Sequence, residues 1–161
     1  MAVDVFLKLT GVKGEAHDSK HKEEIDVLSY SLGVSNAGTS SYGGGSGAGR
    51  ASFSDLSIMK RVDNASPTLL KFCATGEHVD EAVMTVRKAG GSKAGGEPYL
   101  VITMNEVLVT SVQESGSSEE PTESVSLNYS KIHYVYKPQK ADGTLGAQVE
   151  FSYDLKAQET K

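Results

Sequence analysis

The chain has 161 residues, 38% of them hydrophobic and 23% charged, which is the composition of a single globular domain over residues 1–161. Its 16 Lys and Arg against 21 Asp and Glu give a formal net charge of −5, so no basic surface is available for nucleic acid. One cysteine excludes an intrachain disulfide, and no apolar run approaches the roughly 20 residues that span a bilayer, so no membrane insertion is expected.

The N-terminal stretch has charged residues at Asp4 and Lys8 within its first apolar segment. It has no basic leader and no small-residue cleavage pattern. We therefore expect no signal peptide.

Alternation of apolar and polar residues with a period of two dominates the chain and predicts β-strands. The predicted strands are residues 3–9, 25–34, 52–61, 82–89, 99–112, 125–136 and 149–156. In the second of these, Ser29 and Ser31 form a small polar face. The opposite face is apolar and consists of Leu28, Tyr30, Leu32 and Val34.

One helix is predicted over residues 67–75. Ser66 is suited to the N-cap, Pro67 to the first helical position, and Gly76 to the C-terminal stop. Leu69, Leu70 and Cys73 would be buried against the core. Polar or Gly-rich loops are predicted at residues 11–23, 36–50, 90–97 and 113–122.

Seven strands and one short helix predict a mainly β fold, an antiparallel barrel or sandwich with a helix at its side. Open strand edges of this length must be closed, charged or paired with another chain. Oligomerisation through such edges is therefore a reasonable expectation.

Two segments invite a chemical interpretation, and neither supports one. Residues 43–50 are Gly-rich, but Arg50 stands where a phosphate-binding loop has Lys, and a strand pattern follows in place of a helix. His17 and His21 are four residues apart with Glu24 nearby, yet no apolar stripe would make that segment helical, so we expect a solvated loop. The sequence predicts no catalytic residue, no cofactor and no metal site, and hence no enzyme.

Several segments in order resemble the haemolysin-coregulated protein (Hcp) family of bacterial type VI secretion systems. They are VKGE at 12–15, EIDVL at 24–28, GGGSGAG at 43–49, RKAGG at 87–91, PYLVI at 98–102, EVLV at 106–109, KPQKADG at 137–143 and YD at 153–154. Each motif is weak alone, but their order and spacing cover nearly the whole chain. Tyr30 and Leu32 occupy a segment where many members carry Trp, and Arg50 stands where Lys is frequent.

The resemblance implies a two-sheet antiparallel β-barrel with one short lateral helix, assembling as a homohexameric ring. Stacked rings would form an inner tube, capped by a VgrG spike, surrounded by a contractile sheath and carrying effector proteins in its lumen. The protein would be cytoplasmic before firing and secreted afterwards.

The expected ring also assigns roles to particular residues. A lumen that holds proteins should be polar, and Ser29 and Ser31 are the best candidates to face it; the alternative is an outward, solvated face of a monomeric barrel. The resemblance also predicts a loop that contacts the adjacent ring, formed by Tyr42, Gly43, Gly44, Gly45, Ser46, Gly47, Ala48, Gly49 and Arg50. Gly90 and Gly91 belong to a second candidate stacking loop.

Two other functions stay open at this point. A tail-tube protein of a phage-like contractile particle would obey the same physics. A monomeric β-barrel that binds a small hydrophobic ligand would instead have an apolar interior cavity and form no ring.

Overall fold

The computed structural model describes residues 2–38, 49–88 and 96–160. Within these ranges the chain forms twelve strands and one helix. The strands are β1 (Val3–Leu9), β2 (Ile25–Asp26), β3 (Ser29–Ser31), β4 (Val34–Asn36), β5 (Ala51–Phe53), β6 (Leu56–Arg61), β7 (His78–Lys88), β8 (Leu100–Ser115), β9 (Thr122–Asn128), β10 (Lys131–Tyr136), β11 (Val149–Asp154) and β12 (Glu159–Thr160). The helix is α1 (Ser66–Thr75). No helix in the described ranges is long and apolar enough to cross a membrane.

All strand pairs are antiparallel, in two sheets. The larger sheet runs β12-β11-β10-β8-β7-β1-β2, and from β8 it continues through β9 and β6 to β3. The path β1-β7-β8-β9-β6-β3 closes into a barrel through the continuous segment of residues 25–31. In this segment β2 pairs with β1, and β3, which follows directly, pairs with β6. Strands β4 and β5 form a separate two-stranded ribbon. The predicted mainly β, antiparallel fold with one short helix is confirmed.

The barrel interior is filled by the apolar faces that the alternation predicted. Leu7 lies opposite Met84, and Met84 lies opposite Ile102, so one buried row crosses three strands. Each such side chain contributes about 1.5–3 kcal/mol when it is fully removed from water. The fully buried apolar side chains also include Ile25, Leu56, Ile58, Leu69, Met104, Val107, Val125 and Leu127.

The prediction of one continuous strand over residues 25–34 is wrong. The Val27 amide donates to the Val5 carbonyl at 2.9 Å, whereas the next amide, that of Leu28, donates to Met59 at 2.8 Å. The chain therefore leaves one side of the barrel and joins the other at this point, and the segment divides into β2, β3 and β4. The expected apolar face does not form a buried surface: Leu32 packs against the core, but Leu28, Tyr30 and Val34 are exposed.

The prediction of one strand over residues 125–136 is also wrong, because Tyr129 turns inward between β9 and β10. Its hydroxyl donates to the Ser54 carbonyl at 2.8 Å, and burial raises the pKa of Tyr129 to about 12. The Ser130 amide donates to Asn105 at 3.0 Å. This turn lets β9 pair with β6 and β10 pair with β11.

The long strand β8 bends at Glu106, which has a left-handed backbone with φ 53°. Before the bend β8 pairs with β10, and after it β8 pairs with β9. Lys156 donates to the Glu106 carboxylate at 2.5 Å. The bend directs the second half of β8 into the side of the barrel that carries β9, β6 and β3.

Helix α1 ends as predicted. Gly76 adopts φ 69°, and its amide donates to Phe72 at 3.0 Å. The start differs: the N-cap is Ala65, with no side-chain cap, so the prediction of Ser66 as the N-cap is wrong. The Ser66 hydroxyl is used elsewhere, since it accepts from the Asp63 amide at 2.9 Å and donates to Glu123 at 2.6 Å. Leu69 is fully buried and Cys73 is half-buried against the core, but Leu70 is 44% exposed, so the prediction that Leu70 is buried is wrong.

A buried ionic cluster joins the start of α1 to the sheet. Lys60 and Glu123 lie opposite each other on β6 and β9, both side chains are fully buried, and their charged groups are in contact. The Lys60 ammonium also lies 2.8 Å from Asp63 Oδ1 and 3.2 Å from Ser66 Oγ. Such a pair is costly to bury and still more costly to break by removing one partner.

Candidate functional site

Ser29 and Ser31 are exposed on β3. The strand register places further small polar residues of β6, β9 and β8 beside them. Ser31 lies opposite Ser57, which lies opposite Ser126, which in turn lies opposite Ser111. Residues directly opposite in an antiparallel pair point to the same side of the sheet. Four serines from four strands therefore form one row, and the Ser57 and Ser126 hydroxyls are 3.4 Å apart.

A second row runs beside the first. Ser29 lies opposite Met59, which lies opposite Ser124, which lies opposite Gln113. We call the two rows together the serine face; its residues are Ser29, Ser31, Ser57, Met59, Ser111, Gln113, Ser124 and Ser126. It spans three inter-strand spacings of about 4.8 Å each.

The serine face carries no charge, and charges appear only at its two ends. At one end Arg61 donates to Glu120 at 3.0 Å. At the other end Asp55 accepts from Thr110 at 2.7 Å and from Asn128 at 3.0 Å. The surface between them consists of small hydroxyls with one methionine and one glutamine; it stays hydrated and offers little apolar area or charge for tight binding.

Sequence reasoning found two of these eight residues. On β9, Ser124 and Ser126 alternate with the buried Val125, and this local pattern indicates that the two serines share the polar face of the strand. The rows themselves depend on strand pairing over long sequence distances, such as the 69 positions between Ser57 and Ser126, and no local pattern gives that register. That the serine face lines a lumen stays a prediction.

The predicted ring-stacking loop is only partly within the described residues. Tyr42, Gly43, Gly44, Gly45, Ser46, Gly47 and Ala48 lie outside them. Gly49 and Arg50 lie within the described residues. They directly precede β5, at the end of the β4–β5 ribbon that leads to this segment. The side-chain amide of Asn36 donates to the Gly49 carbonyl at 2.7 Å. A Cβ on Gly49 would lie 2.2 Å from the Ala37 carbonyl oxygen, so only glycine fits at this position.

Arg50 connects this base to the C-terminal segment. With the Gln158 amide oriented to satisfy both groups, its oxygen accepts from the Arg50 guanidinium at 2.6 and 2.9 Å. The second candidate stacking loop, with Gly90 and Gly91, lies outside the described residues. Both stacking roles stay predictions.

The histidine segment is a loop with His17 exposed, as the sequence suggested, but His21 is packed against the barrel and is not solvated. The His21 ring stacks on Phe6 with centroids 4.4 Å apart, and its Nδ1 contacts Glu24. Arg87 covers the same phenyl ring, with Cζ 5.0 Å from the centroid, and its guanidinium bonds to Asp18. That bond lowers the pKa of Asp18 to about 2. Within the described ranges no group of three acidic, His or Cys side chains is arranged for a metal.

The comparisons with known proteins agree with one another. A family model described as "Type VI secretion system effector, Hcp" matches residues 6–136. The chain is 45% identical over 159 residues to Protein hcp1 of Pseudomonas aeruginosa, covering 97% of each chain.

Solved structures give the same result. The crystal structure of Hcp1 from Salmonella typhimurium is 34% identical, covers all of both chains and superposes with a TM-score of 0.81. A type VI secretion system effector from Yersinia pestis is 32% identical, with a TM-score of 0.76 over 94% of this chain and 99% of that one. These matches extend over the barrel, the helix and the serine face together.

Proposed function

The chain belongs to the Hcp family and is a component of the type VI secretion tube; from this premise we propose that six copies form a ring whose opening is lined by the serine face. Each subunit is the single domain of residues 1–161. The role is structural and not catalytic.

The observation that carries this proposal is the pair of serine rows across β3, β6, β9 and β8. A channel that holds proteins and then releases them needs a wall that stays wet and does not attract one charge sign. Small hydroxyls provide that wall, because they exchange hydrogen bonds with water at little net cost. On β6 and β9 the opposite face is buried, so these two strands have one free face to offer.

The filled barrel argues against the monomeric ligand-binding alternative. That function requires an apolar cavity inside the barrel. Leu7, Met84, Ile102 and Met104 occupy the interior and are fully buried. Among the described residues, Tyr136 lines two pockets. Lys137 also lines the first and Val149 the second, and both pockets are open to solvent.

The remaining parts of the proposal concern assembly and transport. Residues 42–50 would contact the adjacent ring, with the β4–β5 ribbon as their base and the loop with Gly90 and Gly91 as a second contact. The tube would be capped by VgrG, enclosed by the contractile sheath, and loaded with effector proteins. The protein would wait in the bacterial cytoplasm and leave the cell when the system fires.

Light scattering coupled to size exclusion, followed by negative-stain imaging, tests the ring. We expect a mass near six times 17.1 kDa and annular particles. A 17.1 kDa monomer at every salt and protein concentration would contradict the proposal. Deleting residues 43–49 should leave the ring intact and abolish stacking into tubes.

A further inference from the structure

The β4–β5 ribbon is attached at both ends of β5 to the last part of the chain, residues 153–160, which we call the C-terminal turn. At one end of β5, the Phe53 ring lies against the Tyr153 ring, with centroids 4.9 Å apart. At the other end, the Arg50 guanidinium donates twice to the side-chain oxygen of Gln158, at 2.6 and 2.9 Å. One segment of the chain therefore holds the ribbon at two points.

The ribbon has little else to fix its direction. Its strands pair only with each other among the described residues, from Val34 opposite Phe53 to Asn36 opposite Ala51. A two-stranded ribbon is at best marginally stable by itself. The direction in which the ribbon leaves the barrel therefore depends on side-chain contacts with the rest of the subunit.

The C-terminal turn is itself firmly held. The Gln158 amide donates to the Asp154 carbonyl at 2.7 Å, and the Asp154 carboxylate accepts from the Lys156 amide at 3.0 Å. The Leu155 amide donates to the Ser130 carbonyl at 2.8 Å, and the Leu155 side chain packs against the core. After the turn, β12 pairs back onto the end of β11. These contacts give the ribbon a fixed point of attachment.

Gln158 also has an unusual backbone, in the left-handed region at φ 58°. This region is uncommon for a residue with a long side chain, because Cβ is crowded there. Such a conformation persists where the surrounding structure fixes it, and it is found at positions whose geometry is used. The side chain at this position is the one that accepts from Arg50.

We propose that the C-terminal turn is a clamp that sets the direction of the ribbon, and that Gln158 is its positioning residue. The proposal rests on the ring stacking proposed above, in which residues 42–50 contact the adjacent ring. Gln158 is outside that segment and acts through Arg50, its last residue. Holding the ribbon in one direction reduces the conformational freedom that is lost when two rings join.

The first test measures the clamp without reference to stacking. Trypsin must take the Arg50 side chain into its own pocket, so the bond to Gln158 competes with cleavage at this position. Gln158→Gly removes the side chain and suits the left-handed backbone, so the midpoint of thermal unfolding should not fall. We expect cleavage after Arg50, followed by mass spectrometry below the concentration at which tubes form, to become about fivefold faster.

Two further variants separate the contact from general effects of substitution. Gln158→Glu places a carboxylate where the amide oxygen lies, and it should keep cleavage at the wild-type rate or slower, because a carboxylate accepts strongly from both guanidinium N–H groups. Gln148→Gly is the matched control, since Gln148 is also exposed and donates to Glu150. It should leave cleavage after Arg50 unchanged.

The second test measures stacking by negative-stain imaging over a series of protein concentrations. Gln158→Gly should keep the mass of the ring and raise the concentration at which tubes appear by several-fold. Gln158→Glu should form tubes at the wild-type concentration. A merely structural role for Gln158 would lower ring mass or thermal stability and would not be rescued by glutamate.

The outcomes separate this proposal from the proposed function. Cleavage of Gln158→Gly at the wild-type rate would show that the turn does not hold the ribbon, and the clamp would be wrong. Faster cleavage with tubes at the wild-type concentration would overturn the positioning role. If deletion of residues 43–49 leaves tubes unchanged, the stacking role of that segment fails, and the positioning role fails with it.

Discussion

The two faces of β6 and β9 have opposite properties, although alternate residues of the same two strands form them. One face buries Ile58, Val125 and Leu127, and the other carries the half-buried Ser57 and Ser126. Because side chains alternate between the faces, each face is free to satisfy its own requirement. The comparison teaches that one pair of strands supplies both the stability of the barrel and the neutral surface proposed to line the tube.

The buried face has an exception at one end, where Lys60 and Glu123 occupy positions that the alternation reserves for apolar residues. Both are fully buried; Asp63 and Ser66 also contact Lys60, and Ser66 donates to Glu123 Oε1, whereas Glu123 Oε2 has no hydrogen-bond partner among the described residues. Since these two side chains are on the core face, they should behave like core residues under substitution. Residues of the serine face should not behave like core residues under substitution.

The largest effect is expected from breaking the buried pair. Lys60→Met leaves Glu123 buried without its cation, and we expect the free energy of unfolding to fall by about 3–5 kcal/mol. Chemical denaturation followed by circular dichroism measures it. The double variant Lys60→Met with Glu123→Leu should recover most of the loss; a double variant as unstable as the single one would contradict the assignment of the loss to an unpaired charge.

A core substitution on the same strands should have the next largest effect. Leu127→Ala removes a fully buried side chain and should lower the free energy of unfolding by about 2–5 kcal/mol. The matched variant Ser126→Ala, on the neighbouring position and opposite face, should change it by less than about 0.5 kcal/mol. Equal losses for both variants would remove the distinction between the faces.

A smaller effect is expected from the ionic contact that holds the histidine segment on β1. Arg87 lowers the pKa of Asp18 from 3.8 to about 2. A carboxylate with a depressed pKa in the folded state stabilises it above pH 3.8, and this contribution is lost as the pH falls toward about 2. Asp18→Asn should therefore flatten the acid limb of the stability profile, measured by denaturation at stepped pH. Asp80→Asn, at an exposed site, should leave that limb unchanged.

The smallest effect on stability, and the most specific effect on function, is expected on the serine face. Ser126→Gln enlarges a half-buried side chain of the serine face and leaves the core face of β9 unchanged, so ring mass and unfolding should stay near the wild type. Recovery of an effector co-purified with the ring should fall, because the larger side chain narrows the proposed lumen. Ser152→Gln, on β11, is the control. Unchanged recovery for Ser126→Gln would count against a lumen role for this face.

The sequence predicted the elements whose pattern is local. The strands at β1 and β11 follow from strict alternation, and the end of α1 follows from Gly76, which alone fits the left-handed turn at φ 69° without strain. The start of α1 was misjudged because the Ser66 hydroxyl serves Glu123, a residue 57 positions away. No local pattern contains that information.

Long-range pairing explains the other differences. Residues 25–34 alternate as one strand would, but Val27 and Leu28 bond to different sides of the barrel. Ser29 and Ser31 were correctly expected to share a polar face, whereas Ser57 and Ser111 join them only through the register of four strands. The exposure of Leu70 on α1 and of Phe151 on β11 likewise follows only from the folded structure, because both positions carry large apolar residues.

A cryo-electron microscopy map of the assembled protein in solution tests the ring and its lining together. It should show six copies around an open centre, with β3, β6, β9 and the second half of β8 facing the opening and Ser57 and Ser126 on the inner wall. A ring with these strands on its outer surface, or with the serine face buried between subunits, would contradict the proposed function of this surface.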